Sequence, residues 1–527
     1  MVAVCTRRSR PCPHSGAWRP RRADRYERRR PEKTPLHRFI SRHLESWLTA
    51  RSLGERPVPT YVEGELREYL RCGILCFGFA RACCTRCGHG FLVAFSCKGR
   101  GVCPSCTGRR MAQTAAHLAD HVIPPVPVRQ WVISVPKRLR GFLAERPAAV
   151  TALTRIFLDE IERLVGAAAA IVPDAAARPS LRPRVGAVSF LHRFGSALNR
   201  HVHLHTCVTD GLFRPSPEGQ GAEFLPARPI TPTDLAVLTE RVRTRLVRWF
   251  LRHGLLDAEA AADMLAWENS GFSVDASVRV TLLDRDVPSY FKSLEHLLRY
   301  CARPAFALER LSLHTRRDGG PERIRYSLPR HKRGQWVGLG RKRKATAPGE
   351  NGVIDLSPGE FLDRLADLVP PPRRHRHRYH GVFAPNHPLR PAVTALAIGN
   401  ATARADAASS PPLRLGEGRG EGARNDEQPR SHDTSRIAWA RLIAKIAEDF
   451  PLACPACGGD IRLIAFITDP APIRRILTYL GEPLEPPPLA PARGPPTSWA
   501  EILQVHDDRD AIQASPDDLP VIDSSSL

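Results

Sequence analysis

Apolar and polar residues alternate along the chain with the periods of helix and strand. Phe39, Ile40, His43, Leu44 and Leu48 recur at helical spacing and predict a helix from Leu36, with a second over Val62–Leu70 and a third over Met111–Val122. After the break Pro124-Pro125-Val126-Pro127, the runs Val128–Val135, Val185–His192 and His201–Thr209 read as strands, and Ala148–Ala168 as a long helix between the first two. Thr231-Pro232-Thr233-Asp234 has the chemistry of a helix start, Thr231 capping and Pro232 at the first helical position; Leu235, Leu238, Val242, Leu246 and Trp249 form the apolar face that follows. A strand over Val278–Leu283 and a helix over Leu294–Ala302 complete this stretch. Strands and helices mixed in this way predict an α+β domain with helices packed on one sheet.

The flanks read differently. Residues 1–35 carry ten Arg and little apolar periodicity, the pattern of a disordered basic arm. Residues 314–399 form a basic accessory region that reads as irregular, with charge runs at 341–344 and 373–380. Residues 400–435 have linker composition. A helical unit at Ile437–Phe450 and a strand-like Ile461–Ile467 mark a C-terminal module over 436–490, and 491–527 is a polar tail.

The 78 Lys plus Arg outnumber the 54 acids, a net charge of +24, which points to a polyanionic partner, nucleic acid first. Only eight of those basic residues are Lys, so part of the excess reflects an Arg-rich composition. No apolar run is long enough for a membrane span and no apolar signal core follows the basic N-terminus, so a cytoplasmic protein with no membrane partner is expected.

Eight of the fourteen cysteines lie between Cys72 and Cys106. Cys84-x-x-Cys87 and Cys103-x-x-Cys106 are two thiolate-bearing turns that together can surround one structural Zn²⁺, with no open position for chemistry. Cys97 can replace one ligand; Cys72, Cys76 and Cys83 read as buried thiols. This predicts a helical zinc-binding domain over 36–122, with Lys98, Arg100, Arg109 and Arg110 placed to meet phosphates. Cys454-x-x-Cys457-Gly-Gly is half a site: a dimeric site, a site completed from elsewhere and plain buried cysteines all remain open.

Within 123–313, His201, His203 and His205 share one strand face, and His203 with His205 can chelate one divalent ion. A third ligand is needed, and His192 at the end of the neighbouring strand is the choice. Tyr300, near the end of a helix that Pro304 stops, is bracketed by Arg299 and Arg303, which can hold a phosphate and favour its phenolate.

Five ordered stretches carry a resemblance. They are Phe95-Ser-Cys-Lys-Gly-Arg-Gly-Val-Cys-Pro-Ser-Cys106, Arg193-Phe-Gly-Ser-Ala-Leu-Asn199 with its His-Leu-His sequel, Leu297-Leu-Arg-Tyr-Cys-Ala-Arg-Pro304, Tyr379-His-Gly-Val-Phe-Ala-Pro385 and Cys454-Pro-Ala-Cys-Gly-Gly459. Together they cover most of 36–490, and the chain resembles the rolling-circle (HUH) transposases of the insertion sequence 91 family. The resemblance implies an N-terminal zinc-binding domain and an HUH endonuclease domain built on a central antiparallel sheet. His203-Leu204-His205 would be its histidine motif, Tyr300 its nucleophile, and single-stranded or locally melted DNA at element ends its partner. Founders of the family place two tyrosines one turn apart; here Pro304 stands after that turn and Tyr290 is expected outside the helix, which predicts a single-tyrosine enzyme. A homodimer supplying one tyrosine per subunit and a single tyrosine acting twice stay open.

The expected chemistry is attack by Tyr300 on a phosphodiester, giving a 5′-phosphotyrosine and a free 3′-hydroxyl, with Mg²⁺ or Mn²⁺ on the histidines. No Gly-x-x-x-x-Gly-Lys-[Ser/Thr] loop is present, in keeping with strand transfer that needs no ATP. The rival readings are a non-catalytic zinc-ribbon DNA-binding protein and an HUH replication initiator or relaxase.

Overall fold

A computed structural model describes residues 29–54, 57–169, 182–195, 197–217, 221–267, 271–281, 287–315, 322–328, 352–400, 454, 457, 459 and 461–492. The helical unit expected at Ile437–Phe450, the charge run at 341–344, most of the N-terminal arm and almost all of the linker and tail lie outside them. The chain divides into two compact units, Met1–Arg109 with Gly418–Gly494, and Arg110–Glu417 with Pro495–Leu527.

The described elements begin with α1 (Pro35–Ser52), α2 (Thr60–Arg71), β1 (Phe79–Cys84), β2 (Gly90–Ala94) and α3 (Pro104–His121). Then come β3 (Val128–Ser134), α4 (Lys137–Glu145), α5 (Pro147–Ala168), β4 (Gly186–Phe194), β5 (Arg200–Thr209), β6 (Gly211–Pro215) and β7 (Ala222–Pro226). They are followed by α6 (Pro232–Arg252), α7 (Ala258–Ala266), β8 (Ser273–Asp275), β9 (Arg279–Val280) and α8 (Val287–Cys301). The last are β10 (Leu311–His314), β11 (Arg323–Ser327), β12 (Val353–Leu356), α9 (Pro358–Leu368), β13 (His377–Gly381), α10 (Arg390–Ala395), β14 (Ile461–Ile467) and α11 (Pro470–Leu480). The fold is mixed α+β, and every strand pairing is antiparallel. No helix among the described residues is long and apolar enough to cross a membrane.

In the first unit, α1 starts at Thr34, whose side chain accepts from the His37 N–H, with Pro35 opening the helix where its missing N–H costs nothing. A three-stranded sheet follows, ordered β14-β1-β2, so the strand near the C-terminus completes an N-terminal hairpin. Phe79 pairs with Ile467 on one side and Ala94 on the other, and Leu75, Phe79, Ile473 and Leu477 form a small core there. The C-terminal stretch is thus part of the N-terminal domain and not the separate module that its distance along the sequence suggested.

The second unit is organised on the sheet β13-β4-β5-β3-β8, with β9 also pairing β3. Side-chain alternation sends the two faces of the sheet into two cores. Val202, Leu204 and Val208 of β5 join Trp131 and Ile133 of β3 in a core with α5 and α6. Val188 and Phe190 of β4, with Cys207 of β5, pack on the other side with Leu294, Leu297, Leu298 and Cys301 of α8. The start of α6 has the expected chemistry: Thr231 and Asp234 form a reciprocal capping box with Pro232 in the first turn.

Two expectations need correction. Residues 314–399 are not irregular, since they hold β11, β12 and α9 and supply β13 as an edge of the central sheet. Alternating Ile324, Tyr326 and Leu328 are buried there, an apolar pattern diluted by arginines in the sequence. Tyr290 also lies inside α8, which begins one residue before Pro288, because proline is tolerated in a first helical turn.

Candidate active site and cysteine clusters

β5 places His201, His203 and His205 on the face that meets α8, all of them buried. β4 runs antiparallel beside it and sets His192 opposite His203. The imidazoles of His192 and His205 are 4.4 Å apart between ring centres, and those of His203 and His205 5.0 Å. His192, His203 and His205 thus form a group whose potential ligand atoms all lie within 4.8 Å of one another. His201 is turned to Ser134 instead, its Nε2 2.9 Å from the hydroxyl.

Hydrogen bonds fix how these rings present their nitrogens. His203 Nδ1 lies 3.1 Å from the His201 carbonyl, and His192 Nε2 lies 2.6 Å from that of Cys301. A carbonyl oxygen can only accept, so those nitrogens carry the protons and the opposite ones carry lone pairs. His192 Nδ1, His203 Nε2 and His205 Nε2 are buried without a hydrogen-bond partner. Three buried imidazole nitrogens clustered without partners fit a divalent cation, because burying them unsatisfied costs free energy that a cation would return. Burial also keeps the rings neutral: the His203 pKa is pushed down to about 4, and those of His192 and His205 fall well below the usual histidine value. The buried Asp210 is no competitor as a ligand, since Arg129 and Arg279 both donate to it.

Tyr300 sits at the end of α8 with its ring centre 5.8 Å from that of His205. The Arg303 guanidinium lies over the phenol ring, 4.4 Å from its centre. Burial pushes the Tyr300 pKa up to about 12, against the opposing pull of Arg303, so the expected preference for phenolate does not hold in the protein alone. Arg299 does not join Arg303; it donates to Glu295 one turn back on α8, 2.8 Å away. Tyr290 is remote in role: its hydroxyl donates to the Val126 carbonyl at 2.6 Å.

Gln130 escaped the sequence reading. Its side-chain amide nitrogen lies 2.8 Å from His205 Nδ1 and 3.4 Å from Cys301 Sγ. Placed this way it donates to Nδ1 and leaves the proton of the neutral ring on Nε2, whereas turning its buried, partnerless Oε1 to the ring lets Nδ1–H donate and frees the Nε2 lone pair for a cation. The signal was present: Gln130 and Ser134 are polar positions four residues apart on β3, so period two puts them on one face, the face that the histidines occupy.

The cysteines correct the expectation of one site. Cys84 and Cys87 do not converge with Cys103 and Cys106; each pair belongs to its own tetrad. Cys72, Cys97, Cys103 and Cys106 form one, with sulfur separations of 3.8 Å for Cys72–Cys106 and 3.6 Å for Cys97–Cys106 and Cys103–Cys72. Cys84, Cys87, Cys454 and Cys457 form the other. The reason is topological. Cys103 and Cys106 open α3 and face Cys72 at the end of α2, whereas Cys84 and Cys87 close a hairpin whose neighbour is β14. Cys97 and Cys72 are therefore core members of the first tetrad, and Cys76 and Cys83 belong to neither. Glu65 on α2 organises the loop between, accepting from the backbone N–H groups of Arg100 at 2.9 Å and Val102 at 2.8 Å. A tetrahedron with bonds of about 2.3 Å has edges of roughly 3.8 Å, so the first tetrad fits Zn²⁺ closely. Lys98 is exposed beside it, while Arg100, Arg109 and Arg110 are half-buried.

A family model described as "Transposase zinc-binding domain" matches residues 39–135, and one described as "Putative transposase" matches residues 186–390. A curated relative, "Putative transposase y4qJ" of Sinorhizobium fredii (strain NBRC 101917 / NGR234), is 25% identical over 365 residues, covering 67% of this chain and 80% of that protein. No solved structure matches the chain. With both domain models in order along the chain, the tetrad of Cys72, Cys97, Cys103 and Cys106 inside the first and the histidine group inside the second, the chain belongs to the insertion sequence 91 type of transposases with an N-terminal zinc-binding domain.

Proposed function

We propose that the second unit is an HUH-type endonuclease and strand transferase that cuts and rejoins single DNA strands through Tyr300. The observation that carries this reading is the set of three buried imidazoles with partnerless nitrogens lying beside a half-buried tyrosine. His192, His203 and His205 would hold Mg²⁺ or Mn²⁺, which when bound supplies Lewis-acid stabilisation of a phosphate.

The chain's own residues supply the rest. Tyr300 is the nucleophile: its oxygen forms a bond to phosphorus as the bond from phosphorus to the 3′-oxygen breaks. The phenol loses its proton, the departing 3′-oxygen gains one, and a 5′-phosphotyrosine remains. Arg303, already over the phenol ring, is placed to lower the cost of the phenolate and to meet phosphate oxygens. The carbonyls of Cys301 and His201 orient the His192 and His203 imidazoles with their lone pairs toward the centre, and the Gln130 amide, with its oxygen turned to the ring, would do the same for His205. Attack by the free 3′-hydroxyl on the phosphotyrosine reverses these steps on another strand, which conserves bond energy. Tyr290 takes no part, since its hydroxyl is committed to the Val126 carbonyl, and the centre works with a single tyrosine. The partner is DNA, single-stranded or melted at the ends of a mobile element, in keeping with a net charge of +24.

A labelled single-stranded oligonucleotide carrying an element end, incubated with the protein and Mg²⁺, should yield a covalent adduct that survives denaturing electrophoresis. Tyr300→Phe should abolish it while leaving binding intact. An adduct of equal yield in Tyr300→Phe would overturn the assignment, and failure of wild-type protein to form one on any element end would leave a DNA-binding protein without strand cleavage.

A further inference from the structure

The second cysteine tetrad joins the two ends of the chain. Cys84 Sγ lies 3.5 Å from Cys457 Sγ, and Cys87 Sγ lies 3.5 Å from Cys454 Sγ, across sequence separations of 373 and 367 residues. A disulfide requires about 2.05 Å, so neither pair is bonded, and all four sulfurs lie within 4.8 Å of one another. The local backbone matches on the two sides. On one, Gly88 N–H donates to the Cys84 carbonyl at 3.0 Å and Cys84 N–H to the His89 carbonyl at 2.8 Å. On the other, Cys457 N–H donates to the Cys454 carbonyl at 3.3 Å and Cys454 N–H to the Gly459 carbonyl at 2.7 Å. Each is a tight turn presenting two thiols toward the other turn.

The turns are pressed together. A Cβ added to Gly459 would stand 2.7 Å from the Arg86 Cβ and 3.2 Å from the Cys84 sulfur, so only glycine lets the two approach this closely. Little apolar burial accounts for the contact. Among the described residues, the core around the tetrad has only Ala82, Cys84, Phe91 and Cys454 buried, and the outer face of β14 leaves Ile464 54% and Phe466 60% exposed. A sheet with so small a core needs a staple, as small zinc domains do.

We propose that Cys84, Cys87, Cys454 and Cys457 bind a second structural Zn²⁺, making a zinc ribbon whose two knuckles come from opposite ends of the chain. The ion fastens β14 and α11 to the N-terminal hairpin. Four thiols lose their protons to hold it, which fills its coordination and leaves no position for substrate. The proposal does not depend on strand cleavage by the second unit.

Two measurements on the full-length protein test it. The first is zinc content in a His203→Ala/His205→Ala background, which removes the histidine group from the count. Two tightly held zinc ions per chain are expected, falling to one when Cys454→Ser/Cys457→Ser is added; a count unchanged by that addition overturns the proposal. The second needs no variant and so survives one that misfolds. Cys87 is exposed, so burial does not shield it from iodoacetamide, whereas a bound ion would. Peptide mass spectrometry should show Cys87 and Cys457 alkylating at least tenfold more slowly than Cys83 before chelation, and at similar rates after it. Equal rates before chelation overturn the proposal.

Discussion

The cysteine tetrads and the histidine triad are both sets of ligand atoms gathered to within 4.8 Å, yet they are built for opposite ends. Each tetrad offers four soft thiolates, enough to complete a tetrahedron, and sits among turns and short strands that have little else to hold them. The triad offers three neutral nitrogens on the rigid inner strands of a broad sheet, packed on both faces, and leaves coordination positions open beside a tyrosine. Closed sites replace missing core; open sites borrow stability from a core that is already complete.

That contrast meets its most severe test at the histidines. Replacing His203 and His205 by Ala should lower adduct formation by roughly 10³-fold or more in a gel assay while the first unit keeps its zinc. A comparable loss of zinc from the cysteines would show that the two regions are not independent. Next in size, Cys103→Ser/Cys106→Ser should release zinc and destabilise the first unit by several kcal/mol, about 3 or more, seen as loss of its protection in hydrogen exchange. The second unit should remain protected.

A smaller effect sharpens the histidine side. In metal-free protein the buried rings stay neutral when folded, with His203 near 4, whereas unfolded histidines protonate near 6.5. The unfolded chain therefore binds more protons below that value. The second unit should hold its full stability above pH 6.5 and lose it progressively as pH falls toward 4, measured by denaturant midpoints. Divalent metal should flatten that slope. Gln130→Leu should weaken Mn²⁺ binding by about 10–100-fold in a titration without displacing Tyr300, since it removes the partner of His205 Nδ1. Smallest of all, Tyr290→Phe should cost about 1 kcal/mol of stability through the lost bond to Val126 and leave adduct yield unchanged.

Much of the second unit was legible in the sequence because its strands alternate strongly. In the middle of β5, His201, His203, His205 and Cys207 fall on one face and Val202, Leu204 and Val208 on the other, so the facing of His203 and His205 follows from period alone. What alternation cannot give is the neighbour of each strand. His192 could be chosen as third ligand from its strand end, but the pairing of Gln130 with His205 depends on β3 lying on the other side of β5. β13 was unreadable for a related reason: His377–Gly381 is a half-buried edge strand without an apolar row. The cysteines show the same limit most clearly. Spacing identifies a knuckle, yet Cys84-x-x-Cys87 has the same spacing whether its partner is sixteen residues onward or at the far end of the chain. The exposed outer face of β14 gave no hint of its docking, although its apolar run marked it correctly as strand-like.

The domain formed by α1, α2, β1 and β2 is therefore discontinuous: β14 enters its sheet only after the Arg110–Glu417 part of the second unit has been synthesised. A ribosome that stalls, or a gene truncated anywhere before Cys454, leaves Cys84 and Cys87 with half a ligand set and β1 with an unpaired edge. The edge of β1 therefore stays open until a segment several hundred residues later along the chain arrives to cover it.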